Sequence, residues 1–173
     1  NIGAAAGVAL VLVGAVSGVS GLWSSPTSRI RVFGLMVAML CASSILLNNV
    51  LALHWIRASD LQRSFLTDIH RQQPSLPPRS TVILDAVCPY VGPAIVFESG
   101  WDLRGALRLT YRDSSIDADV ATKRMVVAPQ ELSTEIYSDV YRYPFRDGLL
   151  VYDHHRGRVY PLSNSEAARR YFA

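Results

Sequence analysis

Only a few residues of this sequence have side chains and neighbours suited to metal binding. Asp153, His154 and His155 form the one cluster of metal-ligand type. Adjacent residues of a strand point to opposite faces, so the two histidines would not easily bind one ion. His54 lies near the end of an apolar segment. For a terminal histidine, a position at a membrane interface is a simpler interpretation than a pigment or metal ligand.

Two further candidates concern covalent and acid–base chemistry. Cys88 could act as a nucleophile with a distant histidine, but a lone cysteine before a proline is more often a packing residue. Glu98 and Asp102 flank Ser99-Gly-Trp101 and could form a carboxylate pair. Asp102 is also explained as an acidic residue in the first turn of a helix. With no phosphate-binding loop, nucleophile elbow or zinc spacing, we expect no catalytic, cofactor-binding or metal-binding residue and favour a protein that is not an enzyme.

The elements that would position these residues lie in the second half of the chain. Strands are predicted at residues 81–84, 94–97, 119–127, 134–143, 149–153 and 158–162. A helix is predicted over residues 101–111, and a last short helix, capped by Ser163 or Asn164, ends near Phe172. Arg146-Asp-Gly148 and His155-Arg-Gly157 predict hairpin turns. We expect residues 80–173 to form a small α+β domain with a mostly antiparallel sheet, and its eight tyrosines to mark a contact surface.

The first 56 residues are apolar and contain only two charged side chains, Arg29 and Arg31. Two uncharged runs, residues 2–23 and 32–55, are each about as long as a membrane-spanning helix requires. Trp23 and Trp55 end these runs, as interfacial aromatic residues often do. The short connection over residues 24–31 forces the two runs to be antiparallel. The fold class predicted is a membrane protein, with a two-helix transmembrane hairpin in residues 1–56 and the α+β domain outside the membrane.

Small residues recur along the first predicted span at spacings of three, four and seven. They are Gly3, Gly7, Gly14, Ser17, Gly18 and Gly21. In lipid, such a face lets another helix approach closely and gain van der Waals contacts. We predict a helix-packing interface here, used by the second span or by a different subunit. The alternative is that glycine is simply common in transmembrane helices.

Residues 57–79 connect the two halves. Apolar and charged residues alternate with helical periodicity over residues 58–73, so an amphipathic helix is predicted that either continues the second span or lies on the membrane surface. Pro74, Pro77 and Pro78 end it and form a stiff connector.

The charge distribution bears on partners and on membrane orientation. The net charge of +3 comes largely from the two arginines between the spans, and the absence of a basic stripe argues against a nucleic-acid partner. Sixteen arginines against a single lysine are typical of a GC-rich bacterial genome. Arg29 and Arg31 favour a cytoplasmic loop, whereas Arg57, Arg63 and Arg71 favour the opposite orientation.

Three segments of the second half resemble a known family. They are Leu84-Asp-Ala-Val-Cys-Pro-Tyr-Val-Gly-Pro93, Trp101-Asp-Leu-Arg-Gly-Ala-Leu107 and Leu150-Val-Tyr-Asp153. Together, residues 75–173 resemble the extracytoplasmic C-terminal tail of bacterial polytopic glycosyltransferases that use lipid-linked sugars, including mannosyl- and aminoarabinose-transferase-like proteins. That family keeps its catalytic acidic residues in loops of a many-helix membrane region that this sequence does not contain, so no catalytic residue is carried over. The resemblance implies a tail that faces away from the cytoplasm, on the periplasmic side of the bacterial inner membrane.

These observations favour a non-catalytic accessory or scaffolding subunit of a larger integral-membrane complex, of respiratory or photosynthetic type. Its partners would be the lipid bilayer and other integral-membrane subunits, and no cofactor is expected. The alternative is the C-terminal portion of a polytopic glycosyltransferase. A third hypothesis is a periplasmic binding or sensor domain, which would need a concave site with convergent polar groups.

Overall fold

The structure, a computed structural model, describes residues 2–136 and 139–172, without the side chains of residues 2–6 and 136. The helices of this part are α1 (Ile2–Ser20), α2 (Pro26–Gln72), α3 (Gly100–Tyr111) and α4 (Ser165–Phe172). The strands are β1 (Thr81–Asp85), β2 (Tyr90–Val91), β3 (Ala94–Ile95), β4 (Asp117–Val120), β5 (Val126–Val127), β6 (Glu131–Ile136), β7 (Asp139–Pro144), β8 (Leu149–Asp153) and β9 (Arg158–Pro161). The chain divides into two compact units, Asn1–Ala52 and Leu53–Ala173.

In the first unit, the connection between α1 and α2 is shorter than predicted. Helix α2 already begins at Pro26, because proline's fixed φ suits the first helical position and its missing N–H would have no helical partner there. Arg31 and Arg29 therefore both lie in the helix and not in a loop, which corrects the prediction. Nε of Arg29 donates to the carbonyl oxygen of Trp23 at 2.7 Å and its Nη2 to that of Gly21 at 3.1 Å. The side chain thus satisfies carbonyl groups of the turn that follows α1.

Among the described helices, α2 alone is long and apolar enough to cross a membrane by length and composition. Its most apolar window of 18 residues has a mean hydropathy of 2.2, and none of that window is buried. The apolar helix described from Gly7 to Ser20 is shorter than the ~20 residues of a typical span. Large apolar side chains of both helices are exposed, among them Leu10 at 75% and Leu46 at 67%. The first unit therefore presents an apolar surface to its surroundings.

The amphipathic segment predicted after the second apolar run continues that run. Helix α2 is uninterrupted over 47 residues, a length of about 70 Å. Within the second unit, Ala58, Phe65 and Ile69 are buried. Their spacings of seven and four place them on one helix face. That face packs into the core of the α+β domain.

The domain is organised by a four-stranded sheet with the order β4-β1-β8-β9. Strand β1 pairs in parallel with β4 and with β8, whereas β8 and β9 are antiparallel. Two smaller sheets, β2-β3 and β5-β6-β7, are antiparallel throughout. Antiparallel pairing therefore predominates in a small α+β domain, as predicted, although the central sheet is parallel where β1 meets its neighbours. Strands β1 and β8 read as continuous apolar runs because both faces of this sheet are covered.

The two faces of the central sheet pack into two separate cores. Successive side chains of β1 alternate between them. Val82 and Leu84 face the core built with α2 and α3. Ile83 faces the second core, together with Val151 of β8 and Tyr143 of β7.

Three predicted strand boundaries or turns are wrong. The single strand predicted over residues 134–143 is a hairpin, in which β6 and β7 pair with Ile136 opposite Asp139. The predicted strand 119–127 is divided between β4 and β5, which belong to different sheets. Arg146-Asp-Gly148 does not close a hairpin, because β7 and β8 are in different sheets. Its glycine carbonyl instead accepts a hydrogen bond from the amide of Thr81 at 2.7 Å, which aligns β8 with β1.

Candidate functional site

A small recess opens in the second unit beside the start of α3, with a volume of about 80 Å³. The residues around it are Ser99, Gly100, Trp101 and Arg104 from the α3 side and Asp119, Asp139, Tyr141 and Tyr143 from β4 and β7. A space of this size holds the end of a ligand and not the whole of a typical small molecule. The recess combines carboxyl, hydroxyl, guanidinium and aromatic groups within one concave surface.

The start of α3 lies unusually close to β4. A Cβ at Gly100 would lie 2.6 Å from the carbonyl oxygen of Ala118 and 2.8 Å from Oδ1 of Asp119. Only a residue without a side chain allows this approach. The preceding residue, Ser99, occupies the N-cap position in an extended conformation, but its side chain makes no capping hydrogen bond. Ser99 is 97% buried, since only 3% of it is exposed. Its Oγ has no hydrogen-bond partner among the described residues.

Asp119 is the buried carboxyl group of the recess, with 1% exposure. Its Oδ2 accepts a hydrogen bond from the hydroxyl of Tyr143 at 2.8 Å, and its Oδ1 accepts one from the amide of Val120 at 2.8 Å. Burial raises the pKa of Asp119 above its usual value, although both hydrogen bonds and the charge of Arg104 act to lower it. Burial and the neighbouring Asp119 carboxylate raise the pKa of Tyr143, which stays a phenol and a donor.

The charges around the recess are predominantly negative. Arg104 is the cation among the described lining residues, and its Nε lies 2.5 Å from Oδ1 of Asp117. This ion pair compensates its charge, although the geometry is not that of a hydrogen bond. Asp139, an exposed residue, adds a second carboxyl group to the lining. Two aromatic residues of the lining are exposed, Trp101 at 69% and Tyr141 at 39%. A polar floor between exposed aromatic faces is suited to binding a ligand that has a polar end and an apolar stem.

No protein-family model, curated protein or solved structure matches this chain.

The predicted carboxylate pair lies next to the recess without lining it. Burial raises the pKa of Asp102, and the charge of Glu98 raises it further, while a hydrogen bond with the backbone of Glu98 lowers it. The two carboxyl groups are therefore neighbours. Glu98 accepts a hydrogen bond from the hydroxyl of Tyr90. The residues between the pair, Ser99 to Trp101, are the ones that reach the recess.

Two of the three candidate histidines, His54 and His154, pack against other residues of the second unit. His154 and His155 are exposed, and the ring of His154 packs edge-on against Phe65 with centroids 4.6 Å apart. His54 packs against Gly92, where φ is +58° and a Cβ would lie 2.7 Å from Nδ1 of the histidine. Its Nδ1 is buried without a hydrogen-bond partner in the described part of the chain. The described residues contain no group of three or more His, Cys, Asp or Glu placed to hold a metal ion.

Both cysteines are free and exposed. Cys41 lies in the apolar part of α2, and Cys88 lies between β1 and β2. The structure brings neither of them to the recess.

The small-residue face of α1 does not contact α2 along its described part. A Cβ at Gly7, Gly14 or Gly18 would meet nothing within 4 Å. Gly21 and Ser17 contact each other through a backbone hydrogen bond at the end of the helix, and the surroundings of Gly3 lie outside the described residues. Helix α1 instead buries Val16, which is 4% exposed and lies beside α2. Packing of the glycine face against a different subunit stays a prediction.

Sequence reasoning missed most of the recess. Asp119 stood at the start of a predicted strand, with no signal that it would be buried beside a helix terminus. Asp139, Tyr141 and Tyr143 lay in what reads as one continuous strand. The detectable signal was the segment Ser99-Gly-Trp101, where a glycine and an exposed tryptophan begin a helix.

Proposed function

We propose that this protein is a membrane-anchored, non-catalytic accessory subunit of a larger integral-membrane complex. Helix α2 would cross the bilayer with its apolar part and hold the α+β domain at one surface. The observation that carries the proposal is the apolar window of α2, with a mean hydropathy of 2.2 and no buried residue. Exposing such a surface to water is unfavourable, whereas lipid or a neighbouring helix would cover it.

The glycine face of α1 supports the accessory role. Open space beside Gly7, Gly14 and Gly18 leaves room for another helix to approach the backbone closely. Helix α2 lies beside a different side of α1, so it does not cover this face.

Membrane attachment is tested by fractionating cells that express the full chain. We expect the protein in the membrane pellet after ultracentrifugation, released by detergent but not by high salt or alkaline carbonate. Recovery in the detergent-free supernatant would contradict the proposal.

Partner binding is tested by native mass spectrometry after mild detergent extraction. We expect wild type to carry other membrane chains, and the double variant Gly14→Leu, Gly18→Leu to lose them while it still pellets with membranes. Gly34→Leu is the matched control, because Gly34 on α2 also has open space around it but lies outside the predicted face. Equal partner loss in both variants, or a solitary wild-type chain, would count against the accessory role.

The sidedness of the domain belongs to the same proposal, with the periplasmic side of a bacterial inner membrane as the expected location. The two exposed native cysteines allow a direct test. In a Cys41→Ala variant of intact cells, a membrane-impermeant maleimide should label Cys88, and Cys88→Ser should abolish the labelling. Labelling only after permeabilisation would indicate a cytoplasmic domain.

The resemblance of residues 75–173 supports a second proposal, the C-terminal portion of a polytopic glycosyltransferase. Reading the gene upstream of Asn1 distinguishes the two. A many-helix membrane region in the same reading frame would favour the glycosyltransferase, and a start codon next to Asn1 would favour the accessory subunit.

A further inference from the structure

The recess beside α3 has an excess of negative charge over a small polar floor. Asp119 and Asp139 line it, and Arg104, the one cation among the described lining residues, is paired with Asp117 at 2.5 Å. A ligand carrying a negative charge would therefore meet two carboxyl groups and no uncompensated cation in this lining. A ligand carrying a positive charge would instead be attracted by both carboxyl groups.

The floor also contains a polar group that the fold does not use. Oγ of Ser99 is buried without a hydrogen-bond partner in the described part of the chain, in a residue that is 3% exposed. Leaving a hydroxyl in that state costs free energy, so such groups usually have a partner in the working protein. Ser99 belongs to the lining of the recess, so a donor that enters the recess is the partner that its position favours.

The walls of the recess suit the same kind of ligand. Trp101 and Tyr141 are exposed aromatic residues of its lining. Aromatic faces attract cations and also cover methylene groups. A lysine-like chain, with a compact charged head and an apolar stem, has both features.

We propose that this recess binds a primary alkylammonium group. The three ammonium hydrogens would be donated to the carboxylates of Asp119 and Asp139 and to Oγ of Ser99, and the stem would lie against Trp101 and Tyr141. The volume of about 80 Å³ admits the ammonium head and its first methylene groups, but not a larger head. A free diamine and a lysine side chain present the same group, so the recess binds the chemistry that they share.

The test uses the full chain in a non-ionic detergent and follows its tryptophan indole N–H signals by NMR. The chain has three tryptophans, and loss of one signal in Trp101→Phe assigns the reporter. The two probes are 1,5-diaminopentane and Nα-acetyl-lysine-N-methylamide. Their neutral counterparts are 1,5-pentanediol and the same lysine derivative acetylated at Nε. We expect saturable shifts of the Trp101 signal with the charged probes and at least about tenfold weaker binding of the neutral ones.

Variants distinguish binding in the recess from a general effect of the protein's surface charge on the probes. Asp139→Asn should weaken the binding of both charged probes about tenfold, the usual weight of one charge-assisted hydrogen bond. Asp147→Asn is the matched control, because Asp147 is also exposed but does not line the recess, and it should leave affinity unchanged. Ser99→Ala should weaken binding without lowering the thermal stability of the protein, since the hydroxyl has no bond to lose.

Each possible result either supports or overturns the proposal. Tighter binding of the diamine indicates a free polyamine as the natural source, and tighter binding of the lysine derivative indicates a partner's side chain; either supports the proposal. Equal affinity for charged and neutral probes would overturn it. So would the absence of saturable shifts, or an Asp139→Asn variant that binds like wild type.

Discussion

At the scale of single residues, the contact of Gly100 with β4 determines the shape of the recess. The first turn of α3 meets Ala118 and Asp119 at distances that leave no room for a Cβ. Gly105 lies one and a half turns further along the same helix and has open space around it. The two glycines thus separate the effect of close approach from the ordinary cost of glycine in a helix.

We predict that Gly100→Ala lowers the free energy of unfolding of the domain by about 1–3 kcal/mol, because the new methyl group overlaps backbone atoms of β4. Gly105→Ala, the control, should raise it by about 0.5–1 kcal/mol, since alanine is the better helix former. Urea unfolding followed by circular dichroism measures both. A neutral or stabilising Gly100→Ala would show that the contact between α3 and β4 is looser than described.

The burial of Asp119 lets us predict how the free energy of unfolding changes with pH. Because burial raises its pKa above 3.8 in the folded protein, folding favours the protonated form. Its contribution to stability is fully present below the unfolded pKa and is lost as the pH rises through the folded pKa. Asp119→Asn cannot ionise, so its stability advantage over wild type should grow between acid and neutral pH. Unfolding free energies of both proteins across that range provide the measurement, and a difference that stays constant with pH would contradict the prediction.

At the scale of elements, two hydrogen bonds of the Gln72 side chain hold the end of α2. Nε2 of Gln72 donates to the carbonyl oxygen of Gly157 at 2.9 Å, and its Oε1 accepts from the amide of Val159 at 2.9 Å. Both partners belong to the hairpin that joins β8 and β9. The last turn of α2 is thereby fixed to the edge of the central sheet.

Gln72→Ala should lower the free energy of unfolding of the domain by about 1–3 kcal/mol, because it leaves the half-buried amide of Val159 without its acceptor. Gln73→Ala is the matched control. The Gln73 backbone oxygen accepts a bond from Tyr111, but none of the described hydrogen bonds involves its side chain. Hydrogen exchange of the Val159 amide provides a local measurement, and unchanged protection in Gln72→Ala would contradict the prediction.

At the scale of the whole molecule, the α+β domain uses α2 as part of its core. Phe65 and Ile69 are each 1% exposed and belong to the core that covers one face of the sheet. Helix α2 therefore carries the apolar, unburied window in its first half. Its second half contributes side chains to the core of the domain.

A fragment of residues 53–173 should fold, whereas a fragment of residues 80–173 should not. Removing Phe65 and Ile69 forfeits about 1.5–3 kcal/mol for each side chain, a large part of the ~5–15 kcal/mol that stabilises a domain of this kind. Dispersion of the amide signals in NMR spectra and a cooperative urea transition distinguish the two fragments. Cooperative unfolding of the shorter fragment would show that α2 is dispensable.

Local signals in the sequence determined the elements that depend on neighbouring residues. Helix α3, strand β8, the turn at Gly157 and the Asn164 cap, whose Oδ1 accepts from the amide of Ala167 at 2.8 Å, follow from periodicity, glycine and capping chemistry. The apolar character of the first half follows from composition in the same way.

Only the tertiary structure decided how these elements meet. That β1 pairs in parallel with β4 and β8 depends on contacts between residues far apart in sequence, which no local pattern encodes. The recess has the same origin, because Ser99, Asp119 and Asp139 come from three separate segments and acquire their burial and charge environment only when α3, β4 and β7 pack together. Periodicity and capping act over a few residues, whereas a binding surface is made by long-range packing.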